Sequence, residues 1–99
     1  GTGLAFALPK RTFGAIFARS GLATKKGLAP ANKVGVCDAD YRGEYIIALH
    51  NDSDEDQIIE PGERIAQMIL LPYISMLFMV GRLDKTERGN GGFGHSGNK

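Results

Sequence analysis

The chain has 99 residues, 42% of them apolar and 23% charged, with a formal net charge of +1. That length holds one domain of modest core, and that charge excludes a general nucleic-acid binder, which carries a basic surplus. The one cysteine, Cys37, cannot form an internal disulfide and points to a reducing, cytoplasmic setting.

Gly1 opens directly on a strand-like segment, so an N-terminal part is expected to be missing. Leu4–Leu8 and Thr12–Ala18 read as short strands joined near Pro9-Lys10-Arg11. Ser20–Ala29 reads as a loop with one helical turn, for which Ser20 is a candidate N-cap. Val34–Cys37 and Glu44–His50 read as strands flanking a hairpin connection, Asp38–Gly43. His50–Asp56 is a polar loop, and Pro61-Gly62 marks a turn. Arg64–Leu71 suits helix or strand by periodicity; its shortness and the flanking prolines favour strand. Ser75–Leu83 reads as a last strand. The longest apolar run, Ile69 to Val80, is broken by Pro72 and Ser75 and is too short to cross a bilayer, so no membrane partner is expected.

Short strands separated by turn signals predict an all-β fold, a distorted barrel or jelly-roll-like sandwich. Several strands, such as Tyr45-Ile46-Ile47-Ala48-Leu49, are apolar on both faces. In so small a chain that predicts burial against other subunits.

Three constellations could carry chemistry. In Ala18-Arg19-Ser20-Gly21-Leu22-Ala23, a cationic fork, a hydroxyl and free N–H groups follow a strand, which suits phosphate. The same residues also read as a plain capped turn. In Val36-Cys37-Asp38-Ala39-Asp40-Tyr41-Arg42-Gly43-Glu44, a carboxylate ends an apolar strand, where it can serve as a general base on water. Turn geometry alone also accounts for that Asp and Gly. In Pro61-Gly62-Glu63-Arg64-Ile65-Ala66-Gln67-Met68-Ile69, Gln67 is either a surface strand residue or an amide with a role.

The remaining features are weaker. The loop His50–Asp56 has oxygen ligands but lacks the glycine and glutamate of a calcium loop. Cys37 reads as an inert core residue, and His95 as a spacer or hydrogen-bond donor. No cysteine or histidine pair has zinc spacing. The tail from Arg88 to Lys99 has five glycines, one arginine and one phenylalanine, so it can wrap a ligand but cannot build a core. The expected organisation is a β domain over residues 1–87 and a glycine-rich arm over residues 88–99.

Taken together and in order, these segments resemble the trimeric deoxyuridine triphosphatases (dUTPases). Four of that family's five motifs have counterparts here: Arg19 to Ala23, Gly35 to Glu44, Pro61 to Ile69, and Arg88 to Gly97. The first motif, an Ala-Gly-Tyr/Leu-Asp-Leu stretch, should lie before Gly1. Cys37 stands where the family usually has isoleucine.

The resemblance implies Mg²⁺-dependent cleavage of dUTP to dUMP and pyrophosphate, with Asp38 activating a water that attacks the α-phosphorus and Gln67 positioning that phosphate. It implies that Arg19, Ser20 and Gly21 hold phosphates. Asn32 with the backbone at Gly35, Val36, Cys37 and Ile46 would read uracil, and Tyr41 would pack on deoxyribose. Phe93 would stack on the base, Arg88 would reach the γ-phosphate, and Gly94 and Ser96 would close the lid. Mg²⁺ would sit on triphosphate oxygens and water, with no direct side-chain ligand. Sites shared within a homotrimer are implied, with neither nucleic acid nor membrane as partner. The alternatives are a non-catalytic nucleotide- or partner-binding copy of the fold, and a dCTP deaminase.

Overall fold

A computed structural model describes residues 1–94 and Gly97. Among them the elements are β1 (Thr12–Phe17), α1 (Ser20–Lys26), β2 (Leu28–Pro30), β3 (Gly35–Asp38), β4 (Leu49–Asn51) and β5 (Gln67–Pro72). The strands form two antiparallel sheets, β3-β1-β5 and β2-β4. β1 is central because its residues suit a pleated, covered surface: Gly14, Ala15 and Ile16 are all buried. Gly14 faces Leu70 and Cys37, and a Cβ there would come within 2.9 Å of Met68 Sδ.

Arg19, rather than Ser20, is the N-cap of α1, and it makes no side-chain cap hydrogen bond. Ser20 is already helical. The helix has seven residues, more than the single turn expected from the sequence, and Lys25 and Lys26 in its last turn complement the helix dipole. It stops at Gly27, whose φ of 69° is left-handed. Glycine is required there twice over, since a Cβ would also approach Ser53 N at 2.9 Å.

Three expected strands are not regular strands. Residues 4–8 form no regular strand, and the N-terminal segment is tied to residues 44 and 45, through Thr2 N to Tyr45 O at 3.1 Å, Tyr45 N to Leu4 O at 2.8 Å and Gly3 N to Glu44 Oε2 at 2.9 Å. Residues 44–48 change partners along their length. Tyr45 faces that N-terminal segment, whereas Ala48 O already accepts from Ala31 N at 2.8 Å. A regular ladder therefore begins only at Leu49. Residues 75–83 have no partner strand among the described residues, and Leu77, Phe78, Met79 and Val80 are at least nine-tenths exposed.

The expected hairpin across Asp38–Gly43 also gives way. β3 pairs with β1, and β4 pairs with β2. The connection thus crosses between sheets and leaves a gap between β3 and residues 44–48.

The buried apolar side chains among the described residues are Ala15, Ile16, Leu28, Pro30 and Tyr45. The radius of gyration is 19.1 Å, against roughly 13 Å for a compact domain of this length. The accessible surface is 8728 Å², against about 5,500 Å² for a folded monomer of this mass. One chain by itself leaves an unusually large apolar surface uncovered.

Candidate active site

The gap beside β3 is a slot of about 320 Å³. Gly35, Val36, Cys37 and Asp38 form one wall; Glu44, Tyr45, Ile46, Ile47 and Ala48 form the other. Asn32 enters from the turn after β2, which closes through Lys33 N to Pro30 O at 3.0 Å. Gly35 makes room for it: a Cβ there would lie 3.3 Å from Asn32 Nδ2 and 3.2 Å from Ile16 Cβ.

Tyr41 closes the end of the slot. Its hydroxyl donates to Glu44 O at 2.9 Å, and its N–H donates to Asp38 O at 3.2 Å. The ring lies so close over Gly43 that a Cβ would meet Tyr41 Oη. A glycine at 43 is thus a packing requirement of Tyr41. Asp38 ends β3 opposite Phe13. It is exposed, at the border between the slot and a second cleft that Lys10, Arg11 and Tyr73 help to line. Cys37 is half-buried and lines the slot, a more accessible position than the core placement expected of it.

Arg19, Ser20, Gly21 and Gln67 share a different recess, of about 260 Å³. Gln67 is an exposed residue at the end of the β1–β5 ladder, and its Nε2 donates to Ala18 O at 2.8 Å. That bond ties the amide to the residue preceding Arg19. Arg64 lines the same recess, and the sequence reading had not singled it out. The signal was available, because Arg64 lies in the same motif as Gln67 and is the motif's one cation.

The turn before Arg64 is held by Glu63. Its Oε1 pairs with Lys26 Nζ at 3.1 Å, and its Oε2 accepts from Glu60 N at 3.1 Å. The Lys26 hydrogen bond, followed by that of the Glu60 amide, lowers the Glu63 pKa below the usual glutamate value. The same ion pair joins the end of α1 to the Pro61-Gly62 turn.

The slot and the recess do not converge within one chain. Asp38 pairs with Phe13, and Gln67 pairs with Phe17. The intervening stretch of β1 spans roughly 13 Å at ordinary strand rise. Among the described residues of the arm, none lines the slot or the recess. Arg88 Nε donates to Gly91 O at 2.7 Å, Phe93 is fully exposed, and neither Arg88, Phe93 nor Gly94 lines the slot. Ser96 and His95 lie outside the described residues.

A slot lined by backbone and aromatic groups and a separate recess with two arginines are the candidate site of a small β protein. The chain belongs to the dUTPase family, whose model matches residues 1–97. It is 53% identical over 98 residues to a deoxyuridine 5'-triphosphate nucleotidohydrolase of Desulfitobacterium hafniense, covering 97% of this chain and 65% of that protein. A protein of the same name from Syntrophotalea carbinolica is 46% identical over 97 residues, covering 97% of this chain and 66% of the relative. The chain thus spans slightly under two thirds of the length of these relatives.

The structure resembles a dUTPase variant of Staphylococcus bacteriophage 80alpha solved with dUpNHpp. The TM-score is 0.79 at 28% identity, over 95% of this chain and 72% of that one. The fold is the all-β, β-clip jelly-roll type of these neighbours.

Proposed function

We propose that this protein hydrolyses dUTP to dUMP and pyrophosphate in the presence of Mg²⁺, at sites shared between the subunits of a homotrimer. The observation that carries this reading is the separation of the two half-sites. A slot with Asp38 at its rim and a recess with Arg19, Ser20, Gly21, Arg64 and Gln67 lie at opposite ends of β1. Joining the slot of one subunit to the recess of another would bring base-reading and phosphate-holding groups onto one ligand. The exposed apolar side chains of β5 and residues 74–83 supply surface for that association.

In this reading the backbone at Gly35, Val36, Cys37 and Ile46, with Asn32, meets the edge of uracil. Cytosine presents a donor where uracil presents an acceptor and leaves buried groups unpaired, so it is rejected. Tyr41, fixed on Glu44 O, packs on deoxyribose and fills the space a 2′-hydroxyl would need. Asp38 takes a proton from the attacking water, and Gln67 with Arg19 and Arg64 holds the phosphates in line. Positioning and charge complementarity supply most of the rate in such reactions.

Magnesium binds hard oxygen ligands and keeps several waters. Among the described residues no group of three or more His, Cys, Asp or Glu is placed to hold a metal. Asp38 and Asp40 would hold the ion through its waters, as hard oxygen acceptors. When bound, the ion offsets triphosphate charge. Arg88, Phe93, Gly94 and Ser96 belong to an arm (residues 88–99) that closes over the nucleotide, apart from the domain of residues 1–87.

The test is pyrophosphate release from Mg²⁺–dUTP. The Asp38→Asn variant should lose about 10²–10⁴-fold in turnover, the usual contribution of a positioned base, while still binding dUMP. Wild-type protein that binds dUMP but releases no pyrophosphate would leave this a nucleotide-binding protein without the activity.

A further inference from the structure

One polar group beside the slot is not used by the reading above. Tyr45 is 5% exposed, and its hydroxyl is buried without a hydrogen-bond partner. Its backbone is fixed by the N-terminal segment, since Tyr45 N donates to Leu4 O at 2.8 Å and Thr2 Oγ1 donates to Tyr45 O at 2.7 Å. Its ring is held between Phe6, with centroids 4.9 Å apart, and Tyr41, at 6.0 Å. The phenol therefore cannot swing out to water. An uncompensated buried hydroxyl costs about 1–3 kcal/mol relative to the same ring without it.

The neighbouring polar group is the Cys37 thiol on the opposite wall. Burial raises the phenol pKa most, and the Cys37 thiol raises it further through its charge and a side-chain hydrogen bond, although no partner meets full hydrogen-bond geometry at the hydroxyl. Both residues line the slot. They also share a face of the structure. Cys37 pairs with Gly14 and points to the side of Gly35 and Ile16, which line the slot with Tyr45. A thiol is both a weak donor and a weak acceptor, so it can take a hydrogen bond from the phenol and give one to a ligand.

We propose that Tyr45 and Cys37 form a polar pair on the floor of the base slot and act as specificity-determining residues. The Tyr45 hydroxyl donates to Cys37 Sγ, and the Cys37 thiol donates to a carbonyl oxygen of the bound pyrimidine. The pair is completed when a base fills the slot and fixes the thiol rotamer. The proposal rests on the nucleotide reading given above.

The experiment measures calorimetric Kd values for dUMP and for inorganic tripolyphosphate, together with the melting temperature. The proteins are wild type, Tyr45→Phe, Cys37→Ala, Cys37→Ser and the Tyr45→Phe/Cys37→Ala double variant. Each of Tyr45→Phe and Cys37→Ala should weaken dUMP binding about three- to tenfold, the scale of one net hydrogen bond. Cys37→Ser should retain it. The double variant should bind dUMP no more weakly than the weaker single variant, because the two residues act in series. Tripolyphosphate binding should be unchanged throughout. Tyr45→Phe should also melt higher when empty. Variants that match wild type for dUMP, or that weaken both ligands equally, overturn the pair while leaving the nucleotide reading intact. Wild-type protein that binds no dUMP overturns the nucleotide reading and the pair with it.

Discussion

The slot proposed to take the base is fixed from both sides by contacts within one chain. β3 is tied to β1, Tyr41 is bonded to Glu44, and Tyr45 is anchored to Thr2 and Leu4. The phosphate recess is much barer. Gln67 is tethered to Ala18, but Ser20 and Gly21 are exposed, and the arm with Arg88 and Phe93 lies elsewhere. The contrast follows the chemistry of the two halves. Reading a base edge needs groups held at fixed distances before the ligand arrives. Holding a flexible, highly charged triphosphate needs cations that can be brought in from several directions.

The sharpest way to break this comparison is to remove residues 88–99. Turnover should fall about a hundredfold or more, as expected when positioning groups are lost. Far-UV circular dichroism and binding of deoxyuridine, which has no phosphate, should stay as in wild type. Loss of deoxyuridine binding would show that the slot depends on the arm and is not self-built.

A second test addresses assembly. Phe78 is nearly fully exposed in one chain. Phe78→Asp should shift native mass from trimer to monomer and reduce pyrophosphate release about tenfold or more, since covering such a side chain is worth about 2–3 kcal/mol per subunit. A trimer that survives the change would place the interface elsewhere.

The smallest effect belongs to Glu63, which shapes the turn carrying Arg64. Its folded pKa is lowered, so its stabilising contribution is present above the ordinary glutamate pKa and fades as pH falls through the lower folded value. Glu63→Gln should therefore melt slightly below wild type near neutrality, and the difference should vanish on acidification below the usual carboxylate range. A difference that persists in acid would assign the effect to packing.

Part of the fold was legible in the residues. The Pro61-Gly62 turn, the β1 core segment and β5 follow from turn chemistry and apolar patterning, and each is present with small shifts at its ends. The arginine, Asp38 and Gln67 were visible as candidates, though residue types alone left each ambiguous. The order of four motifs favours a functional reading of each. Ser20 was misplaced by one position because a Ser before an apolar run looks like a cap, while Arg19 fills that place through its backbone. Arg11 shows another limit. It takes a left-handed φ of 61°, a conformation usually given to glycine, and nothing in its side chain announces it.

The sequence by itself determined the all-β class and the family, and it named most of the residues proposed to bear on a nucleotide, because these depend on local patterning and on short ordered motifs. The tertiary structure decided how those residues are grouped. Residues 44–48 switch partners between the N-terminal segment and β2, which opens a slot where periodicity alone reads a hairpin. β1 then holds Asp38 and Gln67 at opposite ends. It also brought Tyr45 and Cys37, eight residues apart in sequence, together at one cavity. Partner choice between strands is a long-range competition for backbone hydrogen bonds, and no local pattern encodes its outcome.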